Sequence, residues 1–375
     1  MLFRSLVHAA GTRRWRVQPE QVRELERAVR GRRLGWTASR AALAGGLAAA
    51  VVRQQEDAGG TTDDRSVERL ARSRGVKAYV DGLWPPVTAA QLVTALLTEP
   101  ELLARAADGV LSEQEQAAIS RTGRRWTRAD LPLLDEAAAL LERAPGYAHV
   151  VVDEAQDLSQ MQLRSVGRRC ATGSATLLGD LAQATVPGAP GSWEQVLAHL
   201  GKPDGRLDTL TTGYRVPREV LDLANRLLPV IAPDVLPARS LRSLPGSLTV
   251  RPVPAAELAA AAAQAVHDRV AGGSVAVVAA DAAVLADVGE RLAELGVAAE
   301  LLAESGPAGA VALVPAALVK GLEFDAVVLL EPAAIAASGG SGLRMLYVAL
   351  TRAVSSLTVL HAQALPDPLQ APGAA

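Results

Sequence analysis

Two rhythms of apolar and polar positions meet near Tyr147. Before it, apolar residues recur at helical spacing. Residues 1–60 read as helical and arginine-rich, and DAGGTTDD at 57–64 reads as an exposed loop. From about 66 to 145 short helices follow with frequent breakers. DGLWPPVTAAQLVTALL, LSEQEQAAI and TRADLPLLDEAAALLER offer Thr88, Ser112 and Thr127 as N-caps. No strand pattern is evident before Tyr147. After it, short apolar runs alternate with helical stretches. The predicted strands are 148–152, ATLLGD (ending at Asp180), 274–280, 297–302, 310–315, 325–332 and 356–362. The predicted helices include SQMQLRSVGRR, with Ser159 and Gln162 as a capping box, and one from Pro217 with Val220, Leu223, Ala224, Leu227 and Leu228 on one face. Others cover 255–271, 281–295 and 342–353, while 240–247 and the tail PDPLQAPGAA read as loop and disorder. Strands that alternate with helices predict an α/β fold with parallel sheets.

Composition narrows this picture. The chain is 375 residues long, 49% hydrophobic and 21% charged, which suits about two globular domains. With 3% aromatics the core must be built from Ala, Leu and Val. The net charge of −2 shows no global basic excess, but residues 1–40 hold ten arginines against Glu20, Glu24 and Glu26. That stretch suits a phosphate backbone, an acidic protein face or a solvated helix surface. Cys170 is the only cysteine, which excludes a disulfide framework and a cysteine metal site and fits a reducing cytoplasm. Arg4 and His8 interrupt any signal-peptide core, and AALAGGLAAAVV (41–52) is too short to span a bilayer, so no membrane partner is expected.

The chemistry concentrates in HVVVDEAQD (149–157), an apolar strand that runs into three carboxylates. A buried parallel strand explains the valines. Asp153, Glu154 and Asp157 require a metal, a cation or water, because burying an unpaired carboxylate is costly. Asp153 and Asp180 each close an apolar strand, with one helix between. A right-handed crossover brings both to one sheet edge, where α/β folds bind ligands. An Asp-Glu pair in that position is how a P-loop ATPase holds Mg²⁺ and activates water.

The motifs occur in a fixed order: DEAQD, LLGDLAQAT (177–185), GYR (213–215), VKGLEFD (319–325) and RMLYVALTRA (344–353). Together they resemble motifs II to VI of superfamily 1 helicases of the UvrD/Rep class. The helix-rich stretch before them, with LWPP and TRADLPLLDEA, resembles the HelD-type branch, and so does the short interval between Arg215 and Lys320. HelD-type proteins are ATP-driven factors that bind RNA polymerase and release it from stalled or inactive complexes. The resemblance implies Asp153 as the Mg²⁺ ligand and Glu154 as the general base. It implies Gln183 as the γ-phosphate sensor and Arg215 and Arg352 as arginine fingers. Glu323 would touch the ribose, with Lys320 and Gly321 shaping that loop. ATP and Mg²⁺ are the implied cofactors, and DNA or another nucleic acid, with RNA polymerase, the implied partners. Two positions depart from the family: Gly213 stands where Asn is usual, and Ala317 where His is common.

A larger departure is the phosphate-binding loop. The chain has three lysines, Lys77, Lys202 and Lys320, and none precedes Ser or Thr after a glycine-rich turn, so there is no Walker A sequence. Three explanations stand side by side. The chain is the C-terminal portion of a longer motor, or it pairs with a P-loop-bearing segment or chain, or it is a degenerate relative. The expected organisation is a helical, Arg-rich insertion or partial first motor domain over 1–146 and the C-terminal part of an incomplete first RecA-like domain over 147–202. A second RecA-like domain would cover 203–364, with a disordered tail over 365–375. The functional readings are a helicase-like motor ATPase, inactive alone, and a non-hydrolysing module that docks RNA polymerase or nucleic acid.

Overall fold

The computed structural model describes residues 5–10, 12–63, 65–123, 125–302 and 309–370. The chain divides into two compact units. One holds residues up to Tyr147 together with 168–172, and the other holds 148–167 and the residues from Gly173 on.

The first unit opens with a β-hairpin where the sequence predicted helix. Strands β1 (Leu6–Ala10) and β2 (Arg13–Val17) pair antiparallel, with Leu6 opposite Val17 and His8 opposite Trp15. The arginines of RRWRV hide a period of two: Val17 is buried and Trp15 half-buried, while Arg14 and Arg16 point the other way and are exposed. Helix Pro19–Gly31 follows, with proline in its first turn. Against it packs the long helix Trp36–Asp57, whose Leu43, Leu47 and Val51 are fully buried. The tryptophan of LWPP is a core anchor: Trp84 stacks on Trp36 with ring centroids 5.5 Å apart. The three expected N-caps are all in place. Thr88 and Gln91, and likewise Ser112 and Glu115, exchange reciprocal bonds. Thr127 donates its N–H and hydroxyl to Asp130, which is 1% exposed and also bound by Arg121. The Arg121 hydrogen bond, with the Thr127 N–H behind it, holds the Asp130 carboxyl well below the usual carboxylate range. Arg168 and Arg169 pair with Asp135 and Glu136, which places 168–172 in this unit. Among the described residues no helix is long and apolar enough to cross a membrane.

The second unit is an α/β structure. Its first two strands, β3 (His149–Val152) and β4 (Ser174–Leu177), pair in parallel with Val152 opposite Leu177. The connecting helix Gln160–Arg169 starts at the predicted capping box, where Ser159 N–H donates to Gln162 at 2.8 Å. A short parallel pair follows, β5 (Thr212–Gly213) and β6 (Arg239–Ser240). The main sheet is wholly parallel and contains β7 (Leu248–Pro252), β8 (Val275–Ala279), β9 (Glu300–Leu301), β10 (Val311–Pro315), β11 (Phe324–Leu330) and β12 (Ala353–His361), in the order β7-β12-β11-β8-β10-β9. Alternate residues feed two cores. Ala276, Val278, Val327 and Leu329 face one side, covered by helices Arg218–Asn225 and Gly342–Leu350. Val275, Val277, Val328 and Leu330 face the other, covered by helices Leu258–His267 and Ala282–Glu294. Burial on both faces is why these strands read as unbroken apolar runs.

Several boundaries shift from the sequence reading. Strand β7 went unseen because it lies at the sheet edge and is mostly exposed. The last large helix ends at Leu350, so Arg352 lies past its end and leads directly into β12. Ser240, in a segment predicted as loop, is buried and donates its hydroxyl to Val216 O at 2.6 Å. The tail is ordered through Gln370, with Leu369 buried in the main core, because its apolar side chain closes the helix-covered face; 371–375 lie outside the described residues. Residues 173–202 and those from 203 on fall in the same compact unit.

Gly167 and Gly45 give opposite expectations. A Cβ on Gly167 would lie 2.1 Å from the Leu200 carbonyl oxygen, whereas one on Gly45 would meet nothing within 4 Å. Gly167→Ala should destabilise by about 1–3 kcal/mol in urea unfolding, and Gly45→Ala, inside helix Trp36–Asp57, should stabilise by up to about 1 kcal/mol.

Candidate functional site

The site begins where β3 and β4 end. Glu154 takes a left-handed conformation (φ 52°, ψ 38°), which turns the chain sharply at the end of the strand. Its N–H donates to its neighbour Asp153 Oδ1 at 2.8 Å. A single 3-10 turn over Ala155–Asp157 then brings the third acid round. Gln156 is fully buried and ties the two strand ends together: its amide donates to the Glu154 carboxylate, and its Oε1 accepts the Asp180 N–H at 3.1 Å. Gly179 makes room, because a Cβ there would lie 2.2 Å from Gln156 Oε1. Asp180 caps the next turn by accepting the Ala182 N–H at 2.9 Å. Its other oxygen accepts the Gln183 side-chain amide at 2.9 Å.

The opposite wall comes from the amino-terminal edge of the main sheet, at β11 and β12. Between β10 and β11 the loop turns at Gly321 (φ 78°), a conformation that favours glycine. Lys320 Nζ donates to the Gln183 carbonyl at 2.6 Å, lies 2.6 Å from Asp157 Oδ2 and 3.9 Å from Glu154 Oε2. Arg352 is 5% exposed. Its Nε donates to Val348 O at 3.0 Å, and its Nη2 donates to Gln183 Oε1 at 3.1 Å. The half-exposed Arg215 pairs with Glu323, its backbone carbonyl held by Arg242 Nη1 at 3.1 Å.

The charges sense one another across this space. Burial pushes the Arg352 guanidinium below its usual range, and the like charge of Arg215 adds to that; Glu323, Glu154 and Tyr347 act in the opposite direction. The buried Tyr347 hydroxyl is raised by burial first and then by Asp180, with Arg352 opposing. A continuous chain of hydrogen bonds runs from Arg352 through Gln183, Asp180 and Gln156 to Glu154.

Glu154, Gln183, Lys320 and Arg352 are thus in direct or one-step contact, and the Arg215–Glu323 pair lies within the same electrostatic field. Asp153 accepts its neighbour's N–H and pairs with no cation among the described residues, and Gly321 contributes backbone shape. Gln156 and Tyr347 were not singled out as site residues from the sequence, and Asp157 was expected to need a metal, a cation or water but was given no role. Asp157 is the counter-charge for Lys320, Gln156 is the tie between strand ends, and Tyr347 is a buried neighbour of Asp180 and Arg352. The signal for the first two lay within DEAQD itself, since an acid and an amide so close to a strand end need partners.

The donor set bears on the implied cofactors. Among the described residues no three acids, histidines or cysteines are grouped to hold a metal ion unaided. Mg²⁺ that arrives with phosphates needs only one or two carboxylates, and Asp153 provides one. The acidic and cationic sides therefore fit a Mg²⁺-nucleotide. The phosphate cradle does not come from these residues, because the sequence has no Gly-Lys-Ser/Thr turn.

No protein-family model matches the sequence, and no curated protein matches it. Among solved structures, the C-terminal domain of a possible DNA helicase from Lactobacillus plantarum WCFS1 aligns with a TM-score of 0.32 at 21% identity, covering 42% of this chain and 92% of that one. Arterivirus nonstructural protein 10, a helicase, aligns in its complex with DNA with a TM-score of 0.32 at 17% identity. In a second structure the values are 0.33 and 20%. Both alignments cover 58% of this chain and 40% of the arterivirus chain. These likenesses are distant, and the functional reading stands on the geometry of the site.

Lys320 and Asp157 side chains are 20% and 24% exposed, so neither charge is well solvated without the other. Lys320→Met should destabilise by about 1–3 kcal/mol in urea unfolding, by stranding a carboxylate and a carbonyl. Adding Asp157→Asn should recover part of that loss, and a double-mutant cycle reads the coupling.

Proposed function

We propose that this chain is the acid- and arginine-bearing part of a helicase-like, ATP-driven nucleic-acid motor of the UvrD/HelD kind. The observation that carries this reading is the convergence of Glu154, Gln183 and Arg352 on one site, where Arg352 and Gln183 lie 169 positions apart in sequence. In this reading Asp153 is the carboxylate for Mg²⁺, and Glu154 takes the proton of the attacking water. Arg352 and Arg215 would stabilise the negative charge that grows on a transferring phosphoryl group, as a placed guanidinium does strongly. Mg²⁺ bound with ATP would supply neutralisation of the phosphate charge. Gln183 carries the state of the site outward, because its two side-chain atoms and its carbonyl hold Asp180, Arg352 and Lys320 at once. Lys320 and Gly321 shape the loop that leads to Glu323, which would meet the ribose. The phosphate cradle would come from a P-loop-bearing segment or chain. RNA polymerase is the proposed machine acted upon, on the resemblance to the HelD-type branch.

A second reading is a non-hydrolysing module that docks RNA polymerase or nucleic acid. It is favoured by the pairing of every cation at the site: Lys320 to Asp157, Arg215 to Glu323 and Arg352 to Gln183. A nucleotide would have to displace at least part of that pairing.

Two measurements separate the readings. A fluorescent ATP analogue with Mg²⁺ should bind the purified chain, and binding should weaken at least tenfold in Arg352→Ala and in Asp153→Asn. No binding at millimolar analogue, by the chain alone or with a Walker A-bearing segment supplied in trans, would remove the motor reading. The chain alone should turn ATP over far below the ~1–100 s⁻¹ of many phosphoryl-transfer enzymes. Turnover stimulated by nucleic acid or RNA polymerase and abolished by Glu154→Gln would instead dismiss the docking module.

A further inference from the structure

We propose that the outer face of the hairpin β1–β2 binds the sugar-phosphate backbone of nucleic acid, independently of base sequence. The pairing register sorts the hairpin into two faces. Leu6 and Val17 are buried on the inner face, with His8 and Trp15 half-buried beside them. On the outer face Val7 opposes Arg16 and Ala9 opposes Arg14. Both arginines are exposed, as is Arg13 at the start of the strand.

These arginines lack the counter-charge that several others in the unit have. Arg30 pairs with Glu26, Arg40 with Asp81, Arg69 with Asp63 and Arg72 with Glu68. Among the described residues no carboxylate lies within ion-pairing distance of Arg13, Arg14 or Arg16, and no acidic residue precedes Glu20 in the sequence. A solvated surface whose only task is solubility intersperses both signs, as the rest of the unit does; this face carries one sign.

The face is also held in place. Leu6 and Val17 anchor it in the core, and Gln54, from helix Trp36–Asp57, donates its side-chain amide to the Arg16 carbonyl at 3.0 Å. Arg14 and Arg16 stand two positions apart on one strand face, about 7 Å along it. Each presents a planar fork that suits phosphate oxygens. An acidic protein surface would also be attracted, but stable protein interfaces bury an apolar centre. Here only Val7, 46% exposed, and the small Ala9 lie between the charges. A polyanion held by charge alone fits that composition. This inference deepens the nucleic-acid side of the proposed function and uses none of the residues of the candidate site.

The test is fluorescence anisotropy of a labelled mixed-sequence DNA duplex against the full chain over a salt series. The unmodified chain should bind with little dependence on base sequence. Arg14→Gln/Arg16→Gln should weaken binding about tenfold or more, and should lower the slope of log K against log salt by about 2, at roughly 0.9 per phosphate contact. Arg14→Lys/Arg16→Lys should keep most of that slope, which excludes a folding artefact. No duplex binding by the unmodified chain at low salt, or an unchanged slope in the glutamine variant, would overturn the proposal; a face that serves an acidic protein gives the second result. ATP-analogue binding that depends on Arg352 is read separately, so failure of either proposal leaves the other standing.

Discussion

The candidate site depends on one part-buried cation. Lys320 reaches from the loop before β11 to Asp157 and to the Gln183 carbonyl, with Glu154 at the edge of ion-pairing range, 3.9 Å away. Three acids at the end of an apolar strand are otherwise unfavourable neighbours, since like charges repel and the part-buried Asp157 also loses solvation. The ammonium relieves that repulsion where Asp157 turns inward, and it brings Gln183 along through the backbone. Once Gln183 is fixed, its side chain can hold Asp180 and Arg352 on opposite sides. The two walls of the site are therefore joined by polar contacts, where charge and geometry must both be satisfied, and not by apolar packing alone.

This arrangement gives physical content to the resemblance of the motifs. DEAQD, LLGDLAQAT, GYR, VKGLEFD and RMLYVALTRA are separated in sequence but contribute side chains to one region of a single compact unit. Asp153, Glu154 and Asp180 follow the carboxyl ends of β3 and β4, and Glu323 and Arg352 precede the amino ends of β11 and β12.

In the main sheet, how far the fold could be read from sequence followed burial, whereas β3, expected to be buried, was legible from its valines although Val151 is exposed. Strands β8, β10 and β11 are covered on both faces, so their apolar runs are continuous and visible. The hairpin β1–β2 and the edge strand β7 are covered on at most one face, and their exposed positions are filled with arginine, threonine or proline. Within the site, DEAQD announced its own need for partners, but nothing local identified Lys320 as the answer. Its contact with Gln183 spans 137 positions and exists only after the sheets form. Arg352 was expected on a helix; it lies past the helix end because the chain must change from helical to extended backbone to enter β12.

That last placement limits how the site can change shape. The carbonyl of Arg352 accepts the Phe324 N–H at 3.2 Å, at the point where β11 and β12 begin to pair. Its guanidinium is therefore mounted on the ladder itself, one residue from a strand whose neighbours are fixed on both sides. A swing of the side chain would leave the buried Nε without Val348 O, and a shift of the backbone would slip the register of the sheet. Widening or narrowing of the gap facing Gln183 must then be carried by rigid displacement of the whole six-stranded block, with the arginine as a fixed tooth.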